Sequence, residues 1–314
     1  MVKYSICIPA YKSRFLKSCI QSILNQTVAN FELIILNDCS PEPVEEIVAG
    51  FSDSRIFYFK NESNVGSLNL VDNWNKCLSL AQGEYIMIMG DDDLLEPDYL
   101  EEFSSLISKQ PGLDVYHCRS KIIDDNGDTI MLTPALPSYE NVYDSIWHRL
   151  RQYRSNYVSD YLYRTEILRQ REGFFYLPLA WGSDDITAFI ASAEKGIAHT
   201  NRPVFLYRSN SLSITSTGND MEKMHANLGY ATWLEDFLEV APQNPEAAIV
   251  YKHLLEYQKQ YMQQKKMFTV IKSMNSRPWM KMMMWLNHRK KFGLSVREIL
   301  LATAKGMNSS TKSR

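Results

Sequence analysis

The 314-residue chain is predicted to fold as an α/β protein, a mostly parallel sheet flanked by helices and followed by a helical C-terminal extension. Three observations predict this. Short apolar runs alternate with amphipathic segments through the first 120 residues, polar residues gather directly after those runs, and strand signals vanish beyond about Met221. Tight alternation of this kind builds a parallel sheet covered by helices. Hydrophobic residues make up 45% and charged residues 22% of the chain, as expected of a folded water-soluble protein, which excludes disordered, collagenous and multi-span classes.

Taken in order, Tyr4 to Ile8 reads as a strand. The segment starting at Ser13 places Phe15, Leu16, Cys19, Ile20, Ile23 and Leu24 on one helical face. Phe31 to Leu36 is a continuous apolar strand, Val44 to Phe51 a short helix, Ile56 to Phe59 a strand, Leu68 to Ala81 a helix and Tyr85 to Met89 a strand. Pro97 opens a helix through Ile107, and Leu113 to Cys118 returns to the sheet. Asp124-Asp125-Asn126-Gly127-Asp128 with Pro134 and Pro137 predicts a hairpin and a loop. Residues 157 to 168 read as a strand leading into a short helix, Ile186 to Ala193 as a helix, and Pro203 to Arg208 as a last strand. Long helical patterns broken by Pro242, Pro245 and Pro278 follow a polar boundary near 215 to 220.

Net charge is −2, but its distribution is lopsided: residues 251 to 314 carry 14 Lys or Arg and two acids, Glu256 and Glu298, so an acidic body bears a basic tail. Five cysteines, Cys7, Cys19, Cys39, Cys77 and Cys118, lie in apolar or helical patterns without a CxxC pair and read as reduced thiols. The first residues lack the apolar core of a signal peptide, and no run reaches the roughly 18 apolar residues of a spanning helix. A cytoplasmic location is expected.

Ligands of open α/β sheets bind beyond the carboxyl ends of the strands. There stand Pro9-Ala10-Tyr11, Asn37-Asp38, Asn61 to Gly66 and Gly90-Asp91-Asp92-Asp93. No GxGxxG or GxxxxGK[ST] follows a strand, so neither a dinucleotide nor a P-loop is supported. Three successive aspartates repel one another unless a cation compensates them, and Mg²⁺ or Mn²⁺ held by one or two carboxylates completes its shell with water and phosphate oxygens. The alternative for them is a solvated acidic turn. A second cluster, Trp181-Gly182-Ser183-Asp184-Asp185, precedes an apolar helix. It is either a cap favoured by the helix dipole or a carboxylate base near a substrate hydroxyl, with Trp181 as a platform for a sugar face.

Over roughly residues 3 to 210 the chain resembles the family 2 nucleotide-sugar glycosyltransferases of the GT-A fold, whose sheet is Rossmann-related. The resemblance rests on five runs in order: Ser5-Ile6-Cys7-Ile8-Pro9-Ala10-Tyr11, Glu32 to Ser40, Asn64-Val65-Gly66, Ala81-Gln82-Gly83-Glu84-Tyr85-Ile86, and Asp91-Asp92-Asp93-Leu94-Leu95-Glu96-Pro97. It implies a catalytic domain over 1–217, with a nucleotide-sugar half (1–120) and an acceptor half (121–217), ahead of a basic helical region (218–314). It further implies that Pro9, Ala10, Tyr11 and Asp38 surround base and ribose, with Asn64 and Gly66 in the same site. The aspartate triple becomes the DxD motif, with Asp93 holding Mn²⁺ or Mg²⁺ on the diphosphate and Asp91 or Asp92 binding the ribose or sharing the ion. Asp185 is carried over as catalytic base with Asp184 beside it, where the family usually has Glu-Asp. Pro203 to Ser213 resembles the closing segment, with Arg208 as phosphate contact. Asn210 stands where many relatives have histidine, and His199 either fills a similar place or is structural.

The expected reaction is inverting transfer of a sugar from a nucleoside diphosphate, uridine being the commonest choice, to a hydroxyl of a glycan or lipid-linked glycan in surface polysaccharide synthesis. A sugar-phosphate nucleotidyltransferase would need a glycine-rich basic loop, and Lys12-Ser13-Arg14 lacks the glycines. A phosphoacceptor receiver module would be about 120 residues long and would not explain Asp184-Asp185. No nucleic-acid partner is expected. Trp279 to Leu286 followed by His288-Arg289-Lys290-Lys291 joins aromatic bulk to positive charge. That suits either a helix lying on an anionic membrane at its inner face or one packing its Met and Trp face on the catalytic domain.

Overall fold

The computed structural model describes residues 2–209, 219–275 and 277–312, with side chains placed to residue 307. Its first half alternates as the hydrophobic pattern requires: β1 (Tyr4–Ala10), α1 (Leu16–Leu24), β2 (Phe31–Asn37), α2 (Val44–Ala49), β3 (Ile56–Lys60), α3 (Leu70–Leu80) and β4 (Tyr85–Ile88). There follow β5 (Leu94–Leu95), α4 (Tyr99–Lys109), β6 (Val115–Ile123), β7 (Thr129–Leu132), β8 (Tyr139–Glu140), α5 (Val142–Leu150), β9 (Tyr161–Arg164), α6 (Thr165–Gln170), α7 (Ser183–Ser192) and β10 (Ile197–Arg208).

The sheet runs β3-β2-β1-β4-β9-β6-β10-β5, with β7 on β6 and β8 on β10. The four strands from β3 to β4 are parallel, and every residue of β2 and of β4 is buried, as expected of strands covered on both faces. Beyond β4 the expected mostly parallel arrangement gives way to a mixed one. β9 inserts antiparallel between β4 and β6, while β10 lies parallel to β6. A four-residue strand carries no sequence signal for its direction, so the excursion through α5 that reverses β9 was not readable.

Pro9 sits in the central strand without cost to the ladder. The pairing of β1 with β4 ends at Cys7 with Ile88, so the N–H that proline lacks falls where β4 no longer needs a partner. Helices α1 and α4 bury Leu16, Cys19, Ile20, Ile23, Leu100 and Phe103 against the sheet in one core. All five cysteines are free thiols, four of them buried.

The chain divides into two units, one comprising Met1–Tyr176 and Ser183–Thr217, the other Leu177–Gly182 and Gly218–Arg314. Trp181 thus belongs to the second unit, together with α8 (Asp220–Phe237), α9 (Pro245–Ser273), α10 (Pro278–Phe292) and α11 (Val296–Lys312). Pro245 and Pro278 act as helix starters at the first turn, where a missing N–H costs nothing. Gly293 ends α10 in the left-handed region, φ 63°. Trp285 and Phe292 of α10 pack with Val270, Met274, Leu294, Ile299 and Ala302 in a core internal to this unit. Trp285 Nε1 donates to Ser273 Oγ at 2.9 Å. Among the described residues no helix is long and apolar enough to cross a membrane.

Candidate active site

At the carboxyl ends of β1, β2 and β4 lies a cavity of about 390 Å³ whose lining includes Pro9, Tyr11, Asp38, Asn64, Gly66 and Asp91. Six residues singled out from four separate runs of sequence therefore meet in one place. Lys12, Ser67, Leu70, Trp74 and Val158 are also among its walls. They were missed because a lysine after a strand and apolar residues on a helix look like ordinary surface and core. Ala10 is fully buried beneath the site and serves as sheet rather than as lining.

Asp38 is held by the segment from Asn61 to Val65. Asp38 Oδ1 accepts from Asn61 Nδ2 (2.8 Å) and Val65 N (3.0 Å), and its Oδ2 accepts from Asn64 Nδ2 (2.9 Å). A buried carboxylate hydrogen-bonded in this way is fixed in position. Gly66 then turns the chain with φ +76°, a conformation that strains residues with a Cβ.

The aspartate triple follows β4. Asp91 Oδ2 accepts from the backbone N–H groups of Tyr11 (2.9 Å) and Lys12 (2.7 Å), clamping the β1–α1 loop. Burial, with the Asp92 charge added, pushes Asp91 up to about 6. Asp93 Oδ1 accepts from Arg208 N at 2.8 Å, and burial followed by repulsion from Asp92 raises its carboxyl well above the usual range. Lys12 Nζ stands 3.6 Å from Asp92 Oδ2. Among the described residues no three His, Cys, Asp or Glu side chains form a ready-made metal cage. The donor set nonetheless fits a hard divalent ion: oxygen ligands only, two of them carrying undercompensated charge that a cation would relieve, with further positions left to substrate oxygens.

Parts of the recurring runs never touch this cavity and do structural work. Ser5 Oγ donates to Glu32 Oε1 (2.5 Å), which also accepts from Gln82 N (2.6 Å), while Gly83 N donates to Ser5 Oγ (2.8 Å). A Cβ at Gly83 would lie 2.6 Å from Ser5 N, so glycine is obligatory there. This buried network fixes the entry of β4 beside β1 and β2.

The second cluster opens α7. Asp185 is fully buried, and Arg149 Nε donates to both of its oxygens at 2.8 Å, with Asn156 Nδ2 3.3 Å from Oδ1. Asp184 is half-buried, and desolvation, then the neighbouring Asp185 charge, pushes it up to about 7. Arg149 comes from α5, a helix masked in the sequence by the turn-rich stretch before it, although Asn141 caps it, accepting from Tyr143 N and Asp144 N, and Val142, Ile146 and Leu150 recur at helical spacing. Residues 156–158 link cluster and cavity: Asn156 bonds to Asp185, the Tyr157 ring stacks on Tyr207 at 4.0 Å, and Val158 lines the wall.

Other expectations are redistributed. The Arg208 side chain is buried and donates from Nε to Asp92 O (2.8 Å) and from Nη1 to Asp124 O (2.7 Å) and Asp125 O (3.1 Å). It lashes the β6–β7 turn to the aspartate loop. Trp181 carries Lys223 Nζ 5.0 Å above its ring, within the second unit. His199 is buried, with Nδ1 3.1 Å from His117 Nδ1 and Nε2 3.0 Å from Glu140 Oε1, which fits its structural alternative. Asn210 and the rest of the closing segment to Ser213 lie outside the described residues.

Comparison with known proteins bears on family and fold. Glycosyltransferase GlyA of Streptococcus pneumoniae is 29% identical over 184 residues, 57% of this chain and 24% of that protein. An uncharacterised glycosyltransferase of Methanocaldococcus jannaschii is 32% identical over 120 residues, 37% of this chain and 40% of that protein. The chain's matches thus span less than half the length of these relatives. In structure it is similar to S. aureus TarS 1–349 in complex with UDP-GlcNAc, with a TM-score of 0.64 at 14% identity, covering 98% of this chain and 89% of that one. It is also similar to the mannosyltransferase PcManGT of Pyrobaculum calidifontis in complex with GDP-Man and Mn²⁺, with a TM-score of 0.56 at 12% identity, covering 96% and 86%. These two show a shared fold. The family model for glycosyl transferase family 2 matches residues 5–174, more than half of the chain, and the protein belongs to that family.

Proposed function

We propose that the protein transfers a sugar from a nucleoside diphosphate sugar to a hydroxyl of a glycan or lipid-linked glycan on the cytoplasmic side of a membrane, in surface polysaccharide synthesis, with inversion. The observation that carries this is the convergence of Tyr11, Asp38, Asn64, Gly66 and Asp91 on one cavity at the carboxyl ends of parallel strands. Its size and mixed polar and apolar walls suit a nucleotide.

The acceptor oxygen attacks the anomeric carbon, the bond from that carbon to the diphosphate oxygen breaks with its electron pair, and the acceptor proton passes to a carboxylate. The Asp184–Asp185 pair supplies that carboxylate. Both Asp185 oxygens are occupied by Arg149, and Asp184, half-exposed and pushed up to about 7, is the member able to take a proton in this arrangement. Asp93 and Asp91 would hold Mn²⁺ or Mg²⁺, which when bound supplies positive charge to the diphosphate as it departs. Lys12, beside Asp92 at the mouth, adds a second cation there. Arg208 acts by fixing the aspartate loop. UDP is the first nucleotide to test, since a UDP-sugar occupies TarS, with GDP next from PcManGT.

Calorimetric titration of UDP, GDP, dTDP and CDP, with and without Mn²⁺, on wild type and Asp93→Ala tests the donor site. One nucleotide is expected to bind metal-dependently and to lose that dependence in the variant. Failure of all four to bind would overturn the proposal.

A further inference from the structure

We infer that the C-terminal unit docks on an anionic lipid surface through the outer faces of α10 and α11. In α10 the Trp- and Met-rich run is divided. Trp285 and Phe292 go into the core of the unit, while Trp279 (63%), Met280 (64%) and Met283 (54%) stand exposed. At about 100° per residue, Trp279, Met283 and Lys290 fall within one narrow stripe, with Met280, Asn287 and Lys291 beside it. Helix α11 repeats the arrangement, exposing Val296, Leu300, Leu301 and Met307 next to exposed Arg297 and Lys305.

The charge on these faces selects the occupant. From Trp279 to Met307 the one acid is Glu298, and it is engaged within the fold by Ser295 N, Ser295 Oγ and Gln263 Nε2. Lys281 is paired with Asp220 and stands apart from the face. Among the described residues, Lys290, Lys291, Arg297 and Lys305 have no carboxylate within ion-pair distance. Two consecutive helices thus project bulky apolar groups interleaved with uncompensated flexible cations and almost no hydrogen-bond acceptors. A lipid surface matches that pattern, because acyl chains take the apolar groups and anionic headgroups take the cations. A second copy presenting the same face would meet it with like charge.

Sedimentation of the full chain with phosphatidylcholine vesicles, alone and with phosphatidylglycerol added, tests the inference. The protein is expected to partition onto the anionic vesicles and poorly onto the neutral ones. Trp279→Ser with Met280→Ser and Met283→Ser, and separately Lys290→Glu with Lys291→Glu, should each weaken partitioning at least tenfold. For the second pair this matches about fivefold per cation lost. All these side chains except those of the core are exposed, so both variants should keep the wild-type thermal midpoint and nucleotide binding. Lys259→Glu, on the exposed surface of α9, should leave partitioning nearly unchanged. Equal binding to neutral and anionic vesicles, no binding to either, or self-association abolished by the same variants would overturn the inference.

Discussion

Asp184 and Asp185 are neighbours of one residue type that the fold drives to opposite states. Asp185 loses all contact with solvent and would be costly as an anion, yet the Arg149 guanidinium pays for its charge with two 2.8 Å contacts. Burial, with the neighbouring Asp185 charge added, lifts Asp184 to about 7. A base must be ionised to accept a proton, so turnover should fall about tenfold per unit as pH drops below 7. Asp184→Asn should remove this acid limb and cut turnover by about 10² to 10⁴. Asp185→Asn should act differently, shifting the limb to lower pH, because the neighbouring charge that raises Asp184 is gone. Rate profiles from pH 5.5 to 8.5 on the three proteins separate the roles. A limb unmoved in both variants would show that neither carboxylate sets it.

Two glycines that bracket β4 illustrate how an element, rather than a residue, makes a site. Gly83 sits where β4 enters the sheet and Gly90 where it leaves. A Cβ at Gly83 would strike backbone of β1, whereas one at Gly90 would lie 2.6 Å from Asp93 Oδ2. Gly83→Ala should therefore cost about 1 to 3 kcal/mol of stability with nucleotide affinity kept. Gly90→Ala should leave the urea midpoint nearly unchanged and weaken metal-dependent nucleotide binding at least tenfold. Equal effects of the two on binding would refute the division. The first half of the sheet was legible because its strands are short, largely apolar and followed by polar residues. What stayed hidden depends on pairing between distant elements: the antiparallel insertion of β9, the existence of α5, and with it Arg149, whose partner lies 36 residues away. Arg208 was placed correctly at a strand end, but only the path of the β6–β7 turn decides that its donors go to carbonyl oxygens.

At the scale of the whole chain, each unit is held by a core of its own, and the larger one also contains a buried polar chain that apolar patterning cannot reveal. Asp160 Oδ1 lies 3.2 Å from His117 Nε2, the two histidines meet through their Nδ1 atoms, and His199 leads on to Glu140, which also accepts from Arg154 Nη2 at 2.7 Å. The chain ties β6, β10 and β8 to the segment entering β9. Burial lowers His199 to about 4, so the unfolded chain takes up this proton near pH 6.5 while the folded one refuses it. Stability is therefore lost as pH falls from 6.5 towards 4, by on the order of 3 kcal/mol from this group. Glu140, held well below the usual carboxylate range against the opposing effect of its burial by His148, His199 and Arg154, adds to the loss below about 4.5. Asp160, raised by its own burial, works the other way and moderates it. Urea midpoints measured from pH 7.5 down to 5 should decline for the wild type and decline less steeply for His199→Gln, which lacks the titrating group but keeps a polar side chain. Parallel pH dependence in the two proteins would remove His199 as the origin of the acid sensitivity.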